Sequence, residues 1–239
     1  AFEAEREASF FTTGGLAAVH SEGRDRNSIW NGLSNKETYG TSGDRILLWF
    51  DLVDDQDISP MGSSVNRVNN PTFRVKAVGA FEQKPGCPDY SSTNITQEEI
   101  ERICKNECYN PSDTRKNISR IEVIKITPQN SAEENVNELI QDTWKTFECK
   151  PSQEGCEIQF TDEEYAESLR DSIYYVRAIQ EPSPVVNGGN LRCTYNDKGE
   201  CIKVNICYGD DRTDKEDDCL TLSEERAWSS PIYLNFIQT

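Results

Sequence analysis

Histidine is almost missing: His20 is the single one in 239 residues. A metal cluster held by several imidazoles therefore cannot be built from this sequence alone. Cysteine is absent before Cys87, and no CxxC pair occurs anywhere. The spacings are Cx3C, Cx6C, Cx7C, Cx5C and Cx11C, which do not suit a zinc site. Long apolar runs are also lacking. The longest, Ile46 to Phe50 with Leu52 and Val53 beyond it, is far too short to span a bilayer. No glycine-rich phosphate loop, no GxSxG elbow and no Cys–His catalytic pair is visible. Basic residues are few, 25 against 42 acidic ones, for a net charge of −17. A field of that sign repels nucleic acid and anionic membranes, and it favours solubility and cation binding.

What is present suits a soluble globular chain with a real core, 35% hydrophobic and 28% charged. The nine cysteines, Cys87, Cys104, Cys108, Cys149, Cys156, Cys193, Cys201, Cys207 and Cys219, read as disulfide formers. That places the protein outside the cytoplasm, in the periplasm or secreted. Cys193 and Cys201 flank the hairpin signal Asn196–Gly199 symmetrically, so a bridge across that hairpin is expected. Cys149 with Cys156 closes a short loop, Cys207 and Cys219 flank an acidic one, and Cys87 has two candidate partners, Cys104 or Cys108. An odd count leaves one thiol over. The sequence begins Ala1-Phe2-Glu3 without an export signal, so an exported protein implies further polypeptide upstream.

Along the chain, Leu16 to His20 reads as a strand. Asp25 is placed to cap a helix through Ser28, Ile29, Trp30 and Leu33, whose apolar residues share one face. Tyr39 to Gly43 reads as a tight turn of small residues, and Arg45 to Val53 as a strand. Thr96 followed by Glu99 forms a capping box that opens a helix over roughly 97–107. Further strands are expected at 73–81, 121–126, 144–149, 157–160, 172–179, 191–195, 201–208 and 232–236, and 133–139 as a polar turn or short helix. Many short strands between turn signals indicate a β-sandwich.

Two stretches carry a resemblance. One runs from Gly14 through Leu16-Ala17-Ala18-Val19-His20-Ser21-Glu22-Gly23-Arg24-Asp25-Arg26 to Ile29-Trp30, Lys36–Gly43 and Arg45-Ile46. The other is Glu225-Arg226-Ala227-Trp228-Ser229-Ser230-Pro231-Ile232-Tyr233. Together they resemble a bacterial family of unassigned function, often exported, related to the PHP (polymerase and histidinol phosphatase) metal-dependent phosphoesterases. The resemblance implies a mainly β chain with some α. Residues 1–48 would be the last strand and helix of a PHP-like β/α barrel, and residues 49–239 a disulfide-rich β-sandwich with short helical insertions. It implies divalent metal ions in the full-length protein, bound mostly by upstream residues. The partners expected are the N-terminal part of the same protein and a second copy in a homo-oligomer; nucleic acid and a membrane span are not expected.

Candidate site residues follow. His20 ends a strand, where a barrel places its active site, and an imidazole there can bind a metal or move a proton. The competing reading is a hydrogen-bonded structural histidine. Glu22 lies in the same loop, as a second carboxylate of the site or a surface acid. Arg26 and Arg45 are candidates to hold an anionic substrate through paired guanidinium hydrogen bonds, against a role in salt bridges. Asp210, Asp211, Asp214, Glu216, Asp217 and Asp218 crowd one loop, either as a calcium site or as a solvated loop closed by a disulfide. Trp228 and Pro231 read as packing that seals the last strand. Two functions are expected from different classes: the C-terminal region of a secreted metal-dependent hydrolase, or a non-catalytic secreted sandwich for adhesion, assembly or extracellular structure.

Overall fold

The computed structural model describes residues 14–54, 57–93, 95–104, 108–186, 192–208, 211–214, 216–217 and 219–237. In chain order its strands are β1 (Leu16–Val19), β2 (Thr38–Thr41), β3 (Leu47–Val53), β4 (Ile58–Pro60), β5 (Ser64–Arg67), β6 (Thr72–Val78), β7 (Phe81–Gln83), β8 (Pro111–Arg115) and β9 (Ile118–Ile126). They continue with β10 (Ile140–Glu148), β11 (Cys156–Thr161), β12 (Ser172–Gln180), β13 (Ser183–Val186), β14 (Cys193–Tyr195), β15 (Cys201–Val204), β16 (Leu220–Ser223), β17 (Arg226–Ser229) and β18 (Ile232–Phe236). The helices are short: α1 (Arg26–Ser34), α2 (Gln97–Cys104), α3 (Val136–Leu139) and α4 (Tyr165–Ser168). The protein is thus mainly β, as the many short strands between turn signals indicate, and among the described residues no sheet closes into a barrel.

Period-two burial builds the sandwich. In β3, Leu48, Phe50 and Leu52 are buried while their neighbours are not. Phe73, Val75 and Ala77 of β6 are buried likewise, with Val78 also buried at the strand's end, and the four-stranded sheet β11-β6-β3-β4 offers this face inward. Opposite it, an eight-stranded sheet contributes Ile121 and Val123 of β9 and Tyr174, Val176 and Ala178 of β12. Phe73 joins the two layers, with ring centroids 5.4 Å from Phe50, 5.3 Å from Phe160 and 4.7 Å from Tyr174.

The eight-stranded sheet forks at β12. One edge of β12 pairs with β9; the other is shared by β17 and β18. The register shifts by one residue between Arg177↔Trp228 and Tyr174↔Ile232, which marks a bulge at Ser230-Pro231. Proline suits a bulge because it has no N–H to give to a ladder. The Ser229 hydroxyl accepts the Val176 N–H at 3.0 Å in place of a backbone carbonyl. Beyond the fork, β17 carries β2 and then β1 at the edge, and β18 carries β5 in parallel. Strands β1 and β2 are therefore hydrogen-bonded into the same sheet as β17 and β18, and position 48 lies inside β3.

The expected turn at Tyr39–Gly43 is instead strand β2 over its first residues. Gly40 sits between Ala17 and Trp228 across the two ladders.

Four disulfides form: Cys87–Cys108, Cys149–Cys156, Cys193–Cys201 and Cys207–Cys219. Cys149 follows β10 and Cys156 opens β11, so that bridge ties one sheet to the other. The Cys193–Cys201 bridge spans the β14–β15 hairpin, and Cys87–Cys108 settles the two alternatives for Cys87. The Cys104 side chain lies outside the described residues.

One ion pair is buried between the layers. Lys125 of β9 places Nζ 2.5 Å from Oδ2 of Asp162, which follows β11, and both side chains are almost wholly excluded from water. The Tyr174 hydroxyl donates to the same oxygen at 2.5 Å. Burial, then the neighbouring carboxylate, pushes that hydroxyl's pKa far above its ordinary value. Removing one partner of such a pair leaves an uncompensated buried charge. Asp162→Ala is expected to cost about 3–5 kcal/mol in denaturant unfolding, and adding Lys125→Met to recover most of it. Equal stability of Asp162→Ala and the parent would contradict the assignment.

Candidate functional site

The segment from β1 to β2 is specified locally. Asp25 accepts the N–H groups of Asn27 and Ser28 at 3.0 and 3.1 Å and caps α1. At the other end Lys36 takes a left-handed conformation (φ 60°), and the Glu37 N–H returns to the Gly32 carbonyl at 2.9 Å. The His20 N–H then bonds the Glu37 carbonyl at 2.8 Å, which fixes the end of β1 against the start of β2.

Gly32 lets α1 lie against β1. A Cβ there would stand 2.3 Å from the His20 carbonyl oxygen and 2.7 Å from a Val19 methyl. No rotamer relieves a clash with backbone.

The His20 ring reaches across to the second sheet. Its Nε2 lies 2.8 Å from the Leu48 carbonyl oxygen. A carbonyl only accepts, so Nε2 carries the proton and donates. Nδ1 has no partner among the described residues. The ring is packed by Tyr39 and Trp49, with centroids at 5.5 and 5.7 Å. Tyr39 is itself buried, and burial raises its hydroxyl pKa.

His20 borders a cavity of about 460 Å³ together with Ser21 and Glu22 from the loop that follows it. Helix α1 supplies Ser28, Asn31, Gly32 and Asn35, and Glu37 completes the wall. Asn35 donates to Glu37 at 3.1 Å, and Ser28 donates to Asp25 at 2.5 Å. His20 and Glu22 are therefore brought to one cavity. Arg26 and Arg45 are not among its lining residues. Arg26 is exposed and, with Trp30 and Leu33 at helical spacing, lies on the opposite face of α1. Arg45 is exposed and stacks 3.9 Å above the Tyr109 ring. Its neighbour Asp44 accepts from Lys116 at 2.7 Å and from Gln180 at 2.6 Å.

Sequence reasoning missed Asn31, Asn35 and Glu37. Their signal was the polar row Ser28, Asn31, Gly32, Asn35, spaced at i, i+3, i+4 and i+7. It stands opposite the apolar row, and it is the apolar row that faces outward: Ile29, Trp30 and Leu33 are 36%, 66% and 50% exposed.

The donors present do not by themselves fit a divalent ion, which takes at least three or four protein or water ligands. Among the described residues no group of three or more His, Cys, Asp and Glu side chains is placed to hold one. In the acidic loop, Asp210 and Asp218 lie outside the described residues. Asp217 is held by Arg192 at 2.6 Å, and that hydrogen bond lowers its pKa. A second cavity, about 790 Å³, is bordered by Asp54, Asp57 and Arg67. Its guanidinium is already bonded to Asp54 and to the Asn69 and Asn70 carbonyls.

Gly32 supplies the test of this geometry. Alanine normally stabilises a helix relative to glycine, by about 1 kcal/mol. Here Gly32→Ala is expected to destabilise by about 1–3 kcal/mol and to shift the His20 imidazole NMR signals. A stabilised variant with unchanged His20 signals would contradict the close approach.

No curated protein and no solved structure matches the chain. A family model does match, from residue 2 to residue 236. The chain belongs to that family, DUF3604, described as a protein of unknown function.

Proposed function

We propose that this chain is the C-terminal region of an extracytoplasmic, PHP-like metal-dependent hydrolase that acts on phosphoesters or similar anionic esters. In this reading its divalent ions are bound by polypeptide outside this sequence, and the chain adds His20 and Glu22 to the rim of that site. The observation that carries the reading is the His20–Leu48 hydrogen bond. Functional imidazoles are commonly oriented by donating one ring N–H to a carbonyl, which leaves the other nitrogen's lone pair for a ligand or a proton. Two further observations support it. Among the described residues strand β1 is a sheet edge, and the outer face of α1 exposes Ile29, Trp30 and Leu33, as a surface covered by further polypeptide would. Four disulfides fit an oxidising compartment. No helix among the described residues is long and apolar enough to cross a membrane.

A second reading rests on the same ring. His20 packed between Tyr39 and Trp49 also serves to join the two sheets, as it would in a sandwich used for adhesion or assembly. Hydrolysis of p-nitrophenyl phosphate and bis(p-nitrophenyl) phosphate by the full-length protein, with and without chelator, separates the two. The hydrolase reading expects chelator-sensitive turnover that His20→Ala lowers by at least about tenfold, with an unchanged fold by circular dichroism. Turnover indifferent to His20, or none that a chelator abolishes, would leave the sandwich reading.

A further inference from the structure

We infer that the cavity beside His20 binds a neutral, hydroxyl-rich group, a saccharide unit. The inference rests on the reading of this cavity as the functional site, not on catalysis. The charged side chains on its wall are Glu22 and Glu37, and among the described residues none that lines it is Lys or Arg. An anionic group entering there would meet carboxylates with no cation to offset them, in a chain whose net charge is −17. The anionic part of an ester substrate therefore belongs elsewhere, and this wall faces the alcohol part.

The wall mixes donors and acceptors. Asn31 offers two N–H groups and a carbonyl, and neither its side chain nor that of Glu22 has a partner among the described residues. Glu22, Glu37 and His20 Nδ1 add acceptors. Each sugar hydroxyl both donates and accepts, so neighbouring hydroxyls suit a wall that carries both kinds of group. An ammonium group only donates, so it offers no acceptor to the Asn31 N–H groups. The volume, about 460 Å³, falls among cavities that hold small organic ligands, about 300–1,000 Å³. The Asp25 and Lys36 caps hold α1, so Asn31 and Asn35, one turn apart on one face, are positioned before a ligand arrives.

The experiment is saturation-transfer NMR on the protein with millimolar glucose, galactose, mannose, N-acetylglucosamine and their disaccharides, and separately with spermidine. At least one sugar is expected to bind, and Asn31→Leu and Glu22→Gln each to weaken it by about tenfold. Melting curves check that both exposed substitutions leave the fold intact. Binding of spermidine but of no sugar, binding of nothing, or sugar binding indifferent to both variants would overturn the inference. A protein that binds sugar yet hydrolyses no ester defeats the hydrolase reading alone. One that hydrolyses p-nitrophenyl phosphate but binds no sugar defeats this inference alone.

Discussion

The hydrogen bond from His20 Nε2 to the Leu48 carbonyl is the contact on which the site depends. It joins the end of the edge strand β1 to β3 in the other sheet. Two further constraints aim it. The His20 backbone is held by Glu37, and Gly32 lets α1 close over the strand end. The consequence is chemical: one ring nitrogen is committed to the fold and the other is left for a ligand or a proton.

The rest of the sandwich holds that arrangement still. The bulge at Ser230-Pro231 lets one length of chain serve two partners, with β17 passing the sheet to β2 and β1 and β18 passing it to β5. Ser230 bonds the Thr38 carbonyl through its N–H and the Thr38 hydroxyl through its own, at 2.9 Å each. Ser42 and Arg226 exchange hydrogen bonds at the far end of the same ladder, four residues along. The two conspicuous sequence motifs, some two hundred residues apart, are thus opposite sides of one seam. Behind the seam, the buried Lys125–Asp162 pair and the Cys149–Cys156 bridge tie one sheet to the other.

Much of this was legible in the sequence because local rules agreed with the fold. The strand within Arg45–Val53, the Asp25 cap and the Thr96–Glu99 capping box all formed as read. So did the hairpin flanked by Cys193 and Cys201. The failures have a common physical origin in tertiary context. Tyr39–Gly43 read as a turn, but its first residues, Gly40 among them, pair as β2 between β1 and β17. The apolar row of α1 faces outward, whereas the polar row faces the cavity. Arg45 was weighed as a substrate ligand from its motif, and nothing local announces that Tyr109, some sixty residues on, provides its stacking partner.

The account is tested most directly by long-range ¹H–¹⁵N correlation of the His20 imidazole, the only one in the chain. A proton on Nε2, protected from exchange, with Nδ1 as the unprotonated nitrogen, is the result predicted. A neutral ring protonated at Nδ1, or one that exchanges freely between tautomers, would contradict the Leu48 hydrogen bond and with it the site built around it.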